Sequence, residues 1–159
     1  MTAAGTFKPS FLIPNTFVNG CAENLKGKRV LFVDFQGLKG YSARQAASVV
    51  HKFFSDTSFL TIRIPEQGGD LIPIKIADLF EDGPFLEMVT TKIRSEIDQV
   101  DMIGFPAVCG IHDSRKIVQL LEKMIDRPCF EIPGLPPLIP GLKLKNAFEK
   151  NCHKMMCRY

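Results

Sequence analysis

The sequence predicts an α/β domain, a mainly parallel sheet with helices on its faces, with short extended segments at the N-terminus. Three observations carry the prediction. Lys28-Arg29-Val30-Leu31-Phe32-Val33-Asp34-Phe35 is a nearly continuous β-rich apolar run, as a strand buried on both faces requires. Further strand-like segments alternate with segments of helical period, and parallel neighbours need such crossovers because a tight turn joins only antiparallel strands. Each helical segment carries one apolar stripe, enough to cover a sheet face while its other side stays in water.

From the N-terminus, residues 5–18 alternate loosely through Phe7, Phe11, Ile13, Phe17 and Val18, with Pro9 and Pro14 interrupting. This is the pattern of short extended pieces at a sheet edge. Asn19 to Gly27 is a polar linker. The first strand then leads through Gln36-Gly37-Leu38-Lys39-Gly40 into a helix over about Ser42 to Phe54, where Ala43, Ala46, Ala47, Val50, Phe53 and Phe54 recur at helical spacing. A second strand is expected at Ser58 to Ile64, nearer an edge because its residues alternate in polarity. Pro65 to Asp70 is a Gly-Gly loop, and Ile74 to Phe80 fits neither period clearly.

Pro84 suits the first turn of the next helix, whose Phe85, Val89, Ile93 and Ile97 recur every four residues. Asp101 to Phe105 is a third β segment. The helix after it has the clearest stripe, Ile117, Leu120, Leu121, Met124 and Ile125, with Asp113 or Ser114 as its cap. A short strand at Pro128 to Ile132 follows. Pro133, Pro136, Pro137 and Pro140 then stiffen a loop whose Leu135, Leu138 and Ile139 need something to pack on. A last helix is expected to bury Leu144, Ala147, Phe148, Cys152 and Met155.

A length of 159 residues implies one domain, with residues 1–27 as edge strands and linker and 28–159 as the α/β core. No apolar run approaches the ~20 residues needed to span a bilayer, so no direct membrane span is expected. The first residues lack the charged and apolar regions of a secretory signal, which makes the cytoplasm the default address. Five cysteines, an odd count without a compact framework, fit reduced thiols. The net charge of +3 comes without a long basic stripe interleaved with aromatics, which argues against a nucleic-acid partner.

Ligands of parallel sheets sit beyond the carboxyl ends of the strands, so four turns are candidates: Gln36 to Gly40, Glu66 to Asp70, Val108 to Asp113, and Gly134 to Gly141. The first offers Gln36 and Lys39 for a small-molecule substrate, although it is not a Gly-x-Gly-x-x-Gly fingerprint and plain turn chemistry is the better explanation. The third places a thiol at Cys109 and an imidazole at His112 near a helix N-terminus. A metal is not expected, because a zinc site takes three or four protein ligands. Lys8 is a candidate contact for a phosphate or carboxylate, against the plainer reading of a solvated edge lysine that discourages aggregation.

Four collinear blocks carry a resemblance. Pro133-x-Leu135-Pro136-Pro137-x-x-x-Gly141-Leu142-Lys143-Leu144, Gly5-Thr6-Phe7-Lys8-Pro9-Ser10-Phe11-Leu12, the strand, turn and Ala-rich helix from Val30 to Ala47, and Asp101-Met102-Ile103-x-x-Pro106-Ala107-x-x-Gly110 resemble the middle of the B-subunit of anaerobic glycerol-3-phosphate dehydrogenase. The family implies oxidation of sn-glycerol 3-phosphate to dihydroxyacetone phosphate. Electrons pass through a flavin, FMN or FAD, toward quinone in a complex peripheral at the inner membrane. In that comparison Lys8 and Lys143 fall at basic positions, both candidates for the substrate phosphate. The family's Gly-rich flavin segments are not among these residues. The resemblance therefore implies a fragment that binds no cofactor and is inactive by itself, its partners being the other subunits or the missing flavin-binding part. The alternative is a free-standing flavodoxin-like domain that binds a ligand or a protein.

Overall fold

In the computed structural model, which describes residues 1–53, 56–65, 71–134, 139, 141, 142, 144, 145, 148 and 149, Val30–Phe35 forms β1, an inner strand with every residue buried. Thr57–Ile62 (β2) pairs with it on one side and Met102–Pro106 (β3) on the other, and Cys129–Ile132 (β4) completes the sheet beyond β3. The order is β2-β1-β3-β4, parallel throughout. The α/β class read from the apolar run and the alternating periods is the observed one.

A one-turn helix, Ala22–Leu25 (α1), precedes β1. The crossovers are Ala43–Val50 (α2) between β1 and β2, Pro73–Leu79 (α3) and Gly83–Arg94 (α4) between β2 and β3, and Ser114–Ile125 (α5) between β3 and β4. Helices divide between the faces because the direction of travel reverses once: β1 to β2 runs one way, and β2 to β3 to β4 runs back. Crossovers of one hand must then lie on opposite faces. Accordingly Ala43, Ala46, Ala47 and Val50 of α2 pack with Val30, Phe32, Phe130 and Ile132, whereas α3, α4 and α5 cover Leu31, Val33, Phe35, Ile103 and Phe105.

That second face is built around aromatic edges. Phe80 meets Phe85 with ring centroids 5.2 Å apart, Phe35 at 5.8 Å and Phe105 at 6.3 Å, each pair near perpendicular, the geometry ring quadrupoles favour. On the α2 face Phe130 lies so close to β3 that a Cβ on Gly104 would come within 2.8 Å of its ring, so this strand interior requires glycine.

Several expectations are corrected. Residues 7–14 join no strand; Asn15–Gly20 instead forms a 3₁₀ turn that lies against the outer edge of β4. Thr16 Oγ1 donates to Glu131 Oε2 at 2.7 Å and Asn19 Nδ2 to the Cys129 carbonyl at 3.1 Å, while the Cys129 N–H donates to Glu122 Oε1 at 3.0 Å. Side chains thus satisfy an edge that a ladder was expected to satisfy. Ile74 to Phe80 resolves as a helix because Pro73 occupies its first turn, where no N–H is needed. α2 stops at Val50, short of Phe53, which is 70% exposed. In α5 Val118 is buried and Leu120 is not, a stripe rotated toward the sheet. Leu144 and Phe148, expected inside, are 60% and 63% exposed, while Ile139 is buried in the main core. Phe54, the Glu66 to Asp70 turn, most of the proline loop, Lys143, Ala147, Cys152 and Met155 lie outside the described residues.

At the amino ends of β1 and β3, Arg29 Nε and Nη2 grip the Asp101 carboxylate at 3.2 and 2.9 Å, and the Arg29 N–H adds a third bond at 2.8 Å. These bonds hold the Asp101 carboxyl at about 2 instead of 3.8. A depressed carboxyl contributes stability that is complete above its ordinary value and lost as pH falls through the folded one. The stability difference between wild type and Asp101→Asn is therefore expected to be full above about pH 4 and to shrink toward pH 2. Urea unfolding across that range checks it; a difference that grows on acidification would contradict the pairing.

Candidate functional site

Crossovers leave β1 and β3 toward opposite faces, so the turns beyond their carboxyl ends flank the switch point at which open parallel sheets take ligands. One is the turn from Gln36 to Gly40. The Gln36 N–H donates to the Ile62 carbonyl at 2.9 Å, and Leu71 N–H to the Gly37 carbonyl at 2.9 Å, which Gly37 permits by its φ of 87°. Gln36 and Lys39 are exposed on this turn.

The helix start behind it is already charged. Ser42 caps α2 by accepting from the Gln45 N–H, and Asp34 Oδ2 accepts the Ala43 N–H at 2.8 Å. The favourable field of the helix N-terminus thus falls on a carboxylate of the chain itself. Asp34 Oδ1 and Tyr41 Oη are buried and meet no hydrogen-bond partner among the described residues. Burial, reinforced by the Asp34 charge, pushes the Tyr41 phenol well above its ordinary value.

The second is the loop after β3. Its backbone donors are also turned toward carboxylates: Cys109 N–H to Glu131 Oε1 at 2.9 Å, and Ile111 and His112 N–H both to Glu81 Oε1 at 2.8 Å. Asp113 caps α5 through the Lys116 N–H at 3.0 Å. Glu131 is 2% exposed, so this loop, β4 and Thr16 are tied by one buried acid. Glu81 and Glu131 were not among the expected residues. An acid inside Pro128-Cys129-Phe130-Glu131-Ile132-Pro133 is the signal that could have found the second, since a carboxylate in a short buried strand must have donors.

The expected residues do not converge. Cys109 is fully buried, whereas the His112 ring is 72% exposed with Nε2 3.9 Å from Glu81 Oε2, so thiol and imidazole are separated as inside and outside. Among the described residues no three His, Cys, Asp or Glu side chains could hold a metal ion. Cys129 is held a poor nucleophile, its thiol raised far above its ordinary value by burial and the nearby Glu122. Lys8 sits apart, exposed on a cleft of about 790 Å³ formed by the N-terminal segment, with Phe7, Ser10, Phe17 and Pro133 among its walls. Lys143 lies outside the described residues.

A flavin's phosphates do not fit the α2 helix start, where they would face Asp34. The Glu81 and Glu131 carboxylates likewise occupy the donors of the loop after β3.

Sheet order and crossovers define an open, doubly wound α/β domain. In sequence the chain is similar to the B-subunit of anaerobic glycerol-3-phosphate dehydrogenase of Vibrio vulnificus, 24% identical over 94% of this chain and 36% of that protein. A probable protein of the same name in Halobacterium salinarum is 25% identical over 91% of this chain and 36% of its own length. The Pectobacterium atrosepticum counterpart is 25% identical over 98% and 38%. The chain therefore spans little more than a third of the curated relatives it matches. No family model and no solved structure matches it. Among the described residues no helix is long and apolar enough to cross a membrane.

Proposed function

We propose that the chain is a domain of a flavin-dependent oxidoreductase related to the B-subunit of anaerobic glycerol-3-phosphate dehydrogenase, acting on sn-glycerol 3-phosphate and passing electrons toward quinone. The observation that carries this reading is the extent of the match: distant similarity to this subunit, or to a probable one, runs through 91% to 98% of the chain in the relatives of three organisms. The flavin, FMN or FAD, is held by polypeptide outside these residues, in keeping with the carboxylates that fill the donors of both turns. When bound there it takes the two electrons of the alcohol. Other subunits are the partners, and the assembly is cytoplasmic and peripheral at the inner membrane.

Within this chain the work is recognition. Lys8, exposed on the cleft, supplies a cation for the substrate phosphate through a charge-assisted hydrogen bond, and the apolar walls around Phe7 and Phe17 limit water around the ion pair. Titration of glycerol 3-phosphate into the isotope-labelled chain is expected to give saturable NMR shifts at Lys8, Ser10 and Phe17. Lys8→Met should weaken them about tenfold, the scale of a charged hydrogen bond. Shifts elsewhere, or equal shifts with Lys8→Met, would remove Lys8 from the reading. Oxidation of glycerol 3-phosphate by the purified chain and added flavin, without another polypeptide, would overturn the placement of the flavin.

A further inference from the structure

The apolar side chains most open to water lie together in one short stretch. Phe11 and Leu12 are 107% and 89% exposed, the highest among the described large apolar residues, and Ile13 beside them is 42% exposed.

The stretch is anchored at both ends. On its N-terminal side Gly5 is seated so close on α2 that a Cβ would come 2.9 Å from the Ala46 carbonyl oxygen, and the Thr2 N–H closes the turn on the Thr6 carbonyl at 2.8 Å. On its C-terminal side the 3₁₀ turn is tied to β4 through Thr16 and Asn19. Between these anchors Pro9 and Pro14 restrict the backbone, and the Ser10 hydroxyl donates to the Leu12 carbonyl at 2.8 Å. Three apolar side chains are thus held out on a stiffened bridge, a solvation cost that no described residue offsets. Stiffness of this kind favours binding, because little freedom is left to lose on contact.

We propose that Phe11-Leu12-Ile13 docks this domain on the rest of a B-subunit, the polypeptide that its relatives carry outside the match; this rests on the function proposed above. Length selects that occupant. The match covers only 36% to 38% of each relative, so well over half of a relative's chain has to find its place beside a domain of this kind. Any part of it joined ahead of the match starts beside the apolar stretch, because Met1 and Thr2 line the same cleft as Leu12 and Ile13. Charge argues against a bilayer. The cleft sets Lys8 and the Met1 amine against Glu23, one net cation at most, far below the clusters of about four to eight that recognise anionic lipid. A flavin carried by the docked polypeptide then meets the Lys8 cleft across a shared boundary.

The test uses a chimera in which this full chain replaces the matched segment of the Vibrio vulnificus subunit. Phe11→Ser with Leu12→Ser is expected to leave the melting temperature of the free chain within about 2 °C, because exposed side chains lose little. In the chimera the same pair should lower it by roughly 5 °C or more, the scale of two lost interface anchors. Equal shifts in both, or a chimera whose two parts unfold independently, would overturn the docking. Two readings on the free chain test other occupants. A dimer in sedimentation, or co-sedimentation with vesicles of phosphatidylcholine and phosphatidylglycerol, abolished by the double substitution, would assign the stretch to a second copy or to lipid and overturn the proposal. Flavin retention is read separately: a chimera that couples its two parts without retaining flavin upholds the interface and removes the flavin from the functional reading.

Discussion

Phe80→Ala is expected to lower stability by about 4 kcal/mol, the middle of the range for emptying a buried aromatic site. The ring is 1% exposed and is the hub where α3, α4, β1 and β3 meet, through Phe85, Phe35 and Phe105. Its partners cannot close the void by a rotamer change, because each is fixed by the backbone of a different element. For a chain of this length the loss corresponds to a drop of roughly 8–16 °C in melting temperature. Equilibrium urea unfolding gives the free energy directly. A loss below about 1.5 kcal/mol would mean that the cluster repacks, contrary to dense interior packing. Phe80→Leu should recover more than half.

Glu131→Ala is expected to cost about 3 kcal/mol, for a different reason. No large void forms; instead the Cys109 N–H and the Thr16 hydroxyl lose their acceptor in a place water reaches poorly. The acid itself was costly to bury, so the change is smaller than the bond count alone implies. Glu131→Gln keeps an acceptor for Cys109, and Thr16 can rotate to accept from the amide, which limits the loss to about 1 kcal/mol. Alanine costing no more than glutamine would show that these donors find other partners. The N-terminal turn should also lose protection from hydrogen exchange in Glu131→Ala before the sheet does.

The inner sheet is legible because burial on both faces leaves little polar residue to confuse the pattern: Val30 to Phe35 reads as a strand in any context. The edges are less so. Phe7, Phe11 and Ile13 mimic strand alternation, yet Phe11 is fully exposed, and the edge of β4 is satisfied by Thr16 and Asn19, whose types say nothing of where they reach. Leu144 and Phe148 fit a helical stripe, but periodicity reports that a helix has an apolar side, not that this chain covers it. The turns beyond the strands were locatable from topology alone. What fills their donors, Asp34, Glu81 and Glu131, is set by contacts across 9 to 31 residues that no local pattern encodes.

The turn that closes β4 has a consequence for the order in which the chain comes together. Thr16 and Glu131 are separated by 115 residues, so the turn that carries Thr16 docks on the strand that comes last among the described residues. During synthesis at roughly 5–20 residues per second, the N-terminal turn waits on the order of ten seconds for its surface to emerge. Through that interval the turn has no sheet edge beside it, although β1, β2 and β3 emerge before β4 and can already pair. This turn is made before the sheet yet placed after it, and its docking reports that the strand order behind it is complete.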